Sequence, residues 1–152
     1  MSRRRRAGRA PRVDYATLAE LRYHLRRFLR VREMAARTAG IEPQQYLVLL
    51  QLKGLERRGP VTIGRLAERL QVRHHSAVEL VNRLARRGLV RRTPAASDRR
   101  QVVVALRPAG EAILDRLARH SLAELRTEGP VLVRVLNRLI RSAARPAKGR
   151  TP

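Results

Sequence analysis

Two amphipathic stretches, TIGRLAERL at residues 62 to 70 and HHSAVELVNRLARRG at 74 to 88, stand three residues apart and constrain this chain's fold more than any other feature. In the first, Thr62 is placed to cap a short helix whose inner face is Leu66, Ala67 and Leu70. In the second, Ala77, Leu80, Val81 and Leu84 follow the spacing i, i+3, i+4, i+7, and Gly88 stands where a helix C-terminus favours a left-handed residue. Two short helices joined by a tight turn make a helix-turn-helix.

The segments around this pair complete an architecture. LVRRT at 89 to 93 and QVVVAL at 101 to 106 are β-prone, and the intervening PAASDRR has the turn residues of a hairpin loop, so a basic wing is expected. Upstream, Leu18, Leu21, Leu25 and Phe28 form one stripe on a helix from Asp14 to about Arg37. Gly40 stops that helix, and Pro43 begins a second one running to about Arg58, with Tyr46, Leu49, Leu50 and Leu52 apolar on several sides. Downstream, Pro108 opens a helix to about Glu128, the pair Gly129 and Pro130 interrupts it, and VLVRVLNRLI continues as a final helix. The expected fold class is mainly α with a small β-hairpin: a winged helix-turn-helix over about 43–107, flanked by helices at about 14–37 and 108–144. No internal repeat and no inter-domain linker interrupts residues 14–144, while the arm at 1–13 and the tail at 145–152 read as disordered.

Charge then narrows the partner. The formal net charge is +23, far beyond what solubility needs, which points to a polyanion: nucleic acid first, a membrane surface second. Only Lys53 and Lys148 are lysines, so the charge is almost all arginine, the better bidentate donor to phosphates and guanine edges. A GC-rich coding bias accounts for part of the arginine excess but not for the presence of only 12 opposing carboxylates. The absence of cysteine excludes disulfides, thiolate metal sites and thiol-based redox sensing, and a cytosolic home is the simplest expectation. No run approaches a bilayer span, and RRRRAGRAP at 3 to 11 lacks the apolar stretch of a signal peptide. That arm reads either as a solvated segment or as one that tracks phosphates.

With the inner face of the second helix assigned, its outer face carries His75, Val78, Glu79, Asn82 and Arg86. An apolar side chain among polar ones suits a major groove, which displays thymine methyls beside donors and acceptors; an isolated surface valine is the plainer alternative. Arg73, His74, Ser76 and Arg83 flank that face and, with Thr62 at the preceding helix, are candidate phosphate contacts. Glu79 either accepts from a cytosine amino group or orients Arg83 through an i, i+4 pair. Near the wing tip, Asp98, Arg99 and Arg100 are candidates for minor-groove or phosphate contact, against a turn selected for solubility. Catalysis finds no foothold: zincin-like histidine spacing, Walker or dinucleotide glycine loops and a Gly-x-Ser-x-Gly elbow are all missing. Adjacent His74 and His75 point to different sides of a helix, so no metal site and no cofactor are expected.

The order of elements, with IGRLAERLQVRHHSAVELVNRLARRGLVRRTPAASDRRQVVVALRPAG at 63 to 110, resembles the MarR family of bacterial transcriptional regulators. Its most specific parts are RLARRGLVRR and SDRRQVVVAL followed by PAG. The resemblance implies a cytoplasmic homodimer built from the first and last helices, with two winged units on consecutive major grooves of a palindromic operator, most often as a repressor. It places Ser76, Val78, Glu79 and Arg83 on the recognition helix and Asp98, Arg99 and Arg100 on the wing. It also implies release by a small aromatic ligand, for which Tyr23, His24 and Tyr46 are candidate contacts beside the plainer reading as core or surface. Two residues depart from the family's pattern: Glu79 replaces an arginine or another polar base-reading residue, and Arg107 replaces a threonine that caps the next helix. A sequence-tolerant nucleoid- or RNA-associated basic protein is the rival class.

Overall fold

The computed structural model describes residues 13–96, 98 and 100–144. Its elements run α1 (Tyr15–Thr38), α2 (Pro43–Leu55), a short 3-10 turn (Glu56–Arg58), α3 (Ile63–Leu70), α4 (His74–Arg86), β1 (Val90–Pro94), β2 (Val102–Leu106) and α5 (Pro108–Ala143). The chain divides into two compact units, one spanning residues 31–122 and the other formed by residues up to 30 together with those from 123 onward.

The first unit is built on α2, α3, α4 and the hairpin. Its interior is the apolar stripe of each helix: Val48, Leu49 and Leu52 from α2, Leu66 from α3, and Ala77, Val81 and Leu84 from α4 are all within a few per cent of complete burial. Val90 and Val104, one from each strand, extend this core under the hairpin, and Leu114 and Leu117 of α5 close it. The turns are set by local chemistry. Gly40 and Gly88 stop α1 and α4 at φ +73 and +69, where a Cβ is disfavoured. The Thr62 hydroxyl accepts from the Arg65 backbone N–H at 3.2 Å and starts α3. The turn between α3 and α4 falls on Gln71, the one non-glycine residue at positive φ (55°) among those described.

The strands pair antiparallel from Val90 opposite Leu106 to Pro94 opposite Val102. A third strand position comes from the approach to α3, where the Val104 N–H donates to the Val61 carbonyl at 2.8 Å and Thr62 bridges Val103. The wing is thereby hydrogen-bonded to the front of the helix-turn-helix. At its root, the Leu89 carbonyl accepts from the Arg107 N–H at 3.0 Å, and Gly110 lies against the same carbonyl.

The second unit consists of the first half of α1 and the second half of α5. Asp14 opens α1, its carboxylate accepting from the Thr17 N–H at 3.0 Å and the Thr17 hydroxyl at 2.7 Å. Those two bonds, the backbone one first, hold the Asp14 carboxyl below its ordinary value. Arg27 pairs with Glu128 at 3.1 Å. Thr17 and Val135 are buried, yet Leu18, Leu25, Leu29, Leu125, Val133, Leu136 and Ile140 remain exposed. The sequence expectation of two helices after the wing is corrected: α5 runs without a break through Gly129 and Pro130. Proline at an interior position removes one backbone hydrogen bond at a cost of about 3 kcal/mol, which a local break avoids and a long helix with apolar residues on both sides of the site can absorb.

Candidate nucleic-acid interface

The candidate reading face is set by α4, because burial of Ala77, Leu80, Val81 and Leu84 forces the opposite side of that helix outward. His74, His75, Glu79, Arg83 and Arg86 are exposed there, and Arg73 precedes them at the N-cap. The Arg73 side chain makes no capping bond, and the first turn holds no carboxylate. The helix start therefore offers backbone N–H groups and positive charge together, a combination suited to an anion. Glu79 lies 3.7 Å from Arg83, an i, i+4 ion pair along the exposed side of the helix. Both side chains are exposed, and the pair contributes little to stability.

Four residues expected at the interface, three on this face and Thr62 at the start of α3, occupy less open positions. Val78 is half-buried and packs against the core, so its methyls are partly used by the fold rather than freely presented. Ser76 is half-buried too, and Thr62 uses its hydroxyl as a cap. Asn82 is half-buried, and its Oδ1 accepts from an Arg92 guanidinium N–H of β1. Arg92 was absent from the sequence-based candidates because a residue two positions beyond a buried strand valine carries no periodic signal for contact with a helix.

At the wing tip, Asp98 is a turn residue. Its Oδ1 accepts from the Arg100 N–H at 3.0 Å, and its carbonyl from the Gln101 N–H at 2.9 Å. Asp98 is half-buried and shapes the loop, the turn alternative that the sequence left open, and the Arg100 side chain is exposed. Arg99 lies outside the described residues. Arg91, exposed on β1, adds a cation to the hairpin.

A clamp with no signature in the residue pattern closes the C-terminal end of α4. Arg87 donates to the Gly40 carbonyl at 2.7 Å and to Gln45 Oε1 at 3.2 Å. Gln45 is itself buried and accepts from the Glu42 N–H at the start of α2. The recognition-helix candidate is thus tied to the corner between α1 and α2. Toward the C-terminal end of α2, Lys53 bridges Glu111 at 2.8 Å and Glu56 at 2.9 Å, contacts that hold its ammonium well above the ordinary lysine value.

The candidate effector contacts separate. Tyr46 is 7 % exposed within the core of the winged unit, the plainer of the two readings the sequence offered for it. Tyr23 is exposed and stacks edge-on with His24 at a centroid distance of 5.2 Å. His24 also pairs with Glu20 at 3.5 Å, and its Nδ1 is buried with no hydrogen-bond partner. No cluster of three or more metal-ligating side chains occurs among the described residues, and no helix there is long and apolar enough to cross a membrane.

Residues 39–101 match the model of the MarR family. Among solved structures, a MarR transcription factor from Planctomyces limnophilus is 27% identical with a TM-score of 0.64, the alignment covering 88% of this chain and 96% of that one. AbsC, a MarR family transcriptional regulator from Streptomyces coelicolor, is 23% identical with a TM-score of 0.68, covering 88% and 92%. A MepR mutant from S. aureus bound to an oligodeoxyribonucleotide is 18% identical with a TM-score of 0.62, covering 86% and 99%. No curated protein matches the sequence.

Proposed function

We propose, from the match of residues 39–101 to the model of the MarR family, that the protein is a transcriptional regulator that binds a palindromic double-stranded DNA operator as a homodimer. The observation that carries the reading is the outward face of α4: an uncapped, carboxylate-free helix start preceded by Arg73, with Arg83 and Arg86 further along it and a basic hairpin hydrogen-bonded to the same helix-turn-helix. Arg73, His74, Arg83, Arg86 and Arg100 contact phosphates in this reading, while His75, Val78, Glu79 and Asn82 lie closest to base edges. The homodimer rests on the large apolar side chains that α1 and α5 leave in water, more than a monomer of this size ordinarily tolerates. A symmetric protein of this kind reads two half-sites one helical turn apart, about 34–36 Å.

Regulation is by occupancy of promoter DNA, hence repression, in the cytoplasm and without a catalytic step, metal or cofactor. A small aromatic effector enters the proposal through Tyr23 and its neighbour His24, since the Tyr23 ring is exposed. The +23 charge favours one rival, a protein that binds any duplex or RNA through its phosphates. Selection of bound sequences from a random duplex pool at about 150 mM salt separates the two, because counterion release weakens phosphate-only binding there. An enriched palindrome is the expected result; an unenriched pool would replace the operator reading with the sequence-tolerant one.

A further inference from the structure

Asparagine on a recognition helix ordinarily reads adenine by using both ends of its amide, Oδ1 accepting from N6 and Nδ2 donating to N7. Asn82 does not have both ends free. Its Oδ1 is taken by Arg92, whose placement is dictated by the hairpin. Val90 and Arg92 project from the same side of β1, two residues apart. Val90 is anchored in the core at 2 % exposure, so Arg92 emerges just past the core's edge, over α4. The Arg92 backbone pairs with Val104, itself 2 % exposed, so the strand cannot slide to release the contact. Nδ2 of Asn82 has no partner among the described residues.

We propose that Arg92 fixes Asn82 as a donor-only reading group, so that Asn82 selects against one base instead of selecting for adenine. This rests on the operator-binding reading above. A lone amide donor finds an acceptor on guanine (N7 or O6), adenine (N7) and thymine (O4), whereas cytosine presents only its amino donor in the major groove. The wild-type protein therefore accepts three bases at one position of each half-site and rejects the fourth. Arg92 is a positioning residue for that choice.

The test repeats the random-pool selection with the full-length protein and the variants Arg92→Met and Asn82→Asp, with folding of each checked by circular dichroism. Arg92→Met keeps the aliphatic stem and removes the donor, freeing Oδ1, and is expected to gain at least about a fivefold preference for adenine at the position where the wild type discriminates weakly among three bases. Asn82→Asp keeps the bond from Arg92 but turns the outward group into an acceptor. Cytosine, the base the wild type rejects, is expected to rise about three- to tenfold over guanine and thymine, because cytosine N4 and adenine N6 are the donors in the major groove. A wild-type matrix that already demands adenine overturns the proposal. So do folded variants whose matrices equal the wild type's, even with weaker binding overall, since a purely structural pair lowers affinity for every sequence alike. A wild-type pool with no enriched palindrome removes the operator reading itself, an outcome distinct from an enriched palindrome that the two variants leave unaltered.

Discussion

Gly110→Ala is the substitution whose outcome the backbone geometry fixes most tightly. Gly110 is in the first turn of α5, where alanine ordinarily gains about 1 kcal/mol over glycine through helix propensity. A Cβ built there lies 2.2 Å from the Leu89 carbonyl oxygen and 3.1 Å from its carbon. The oxygen contact falls roughly 1 Å short of ordinary van der Waals separation. The neighbour is main chain, so no rotamer relieves it, and the same oxygen accepts the Arg107 N–H at 3.0 Å. Moving it strains the junction between recognition helix, wing and α5 at once. Overpacking of about 1–3 kcal/mol and a weakened hydrogen bond of about 1 kcal/mol outweigh the propensity gain, for a net loss of about 2 kcal/mol. With an m-value of about 2 kcal/mol/M, the urea midpoint followed by circular dichroism falls by about 1 M. The exposed neighbour Ala109 supplies the control, Ala109→Gly, which loses only propensity. A midpoint for Gly110→Ala equal to or above the wild type's would refute the argument, because it would mean that the α5 start is free to move off Leu89.

Thr62→Ala removes the α3 cap and should cost about 1 kcal/mol, read as a lower urea midpoint with unchanged slope. Arg87→Met should cost about 1 kcal/mol by releasing Gly40 and Gln45, and native-state hydrogen exchange should show it first in the amides around residues 40–45. Arg100→Ala should weaken binding to specific and nonspecific duplexes alike and reduce the salt slope by about 0.9 for each phosphate that Arg100 neutralises; an unchanged slope removes the wing tip from the interface. Asp14 titrates below its ordinary value in the folded chain, so its contribution is complete above pH 3.8 and is lost as pH falls through the depressed value. The Thr17 amide resonance should track that acid transition in the wild type and not in Asp14→Asn.

The helix-turn-helix was legible because its signals are local. Spacing alone identified Ala77, Leu80, Val81 and Leu84 as the inner face of α4, and all four are buried. Gly40, Gly88 and Thr62 were likewise readable from the backbone demands of caps and stops. The continuous α5 was not, since glycine followed by proline is a local stop that the tertiary setting of a long helix overrides. Leu50 looked like part of a helix buried from several sides, but it is 39 % exposed, because composition around a helix does not say which side meets a partner. The pairs Arg92 with Asn82 and Arg87 with Gln45 join residues 10 and 42 positions apart, and no periodicity in one sequence encodes such meetings. They changed the reading of the site most: Asn82, a candidate base reader, is held by the wing, and Arg87, to which the sequence assigned no role, is a clamp.

Gln71 carries a consequence for how the two helices of the reading unit meet. A glycine at its φ of 55° would sit there without strain, whereas an L side chain costs about 1–2 kcal/mol in the left-handed region. Glycine would also open the turn to many conformations that glutamine cannot enter, and the unfolded chain would have more freedom to lose. The fold thus accepts strain at one residue in exchange for a crossing angle with few alternatives. On the proposed operator-binding reading, a duplex meeting α4 would find its orientation already chosen, the entropy of choosing it having been spent during folding instead of being subtracted from affinity.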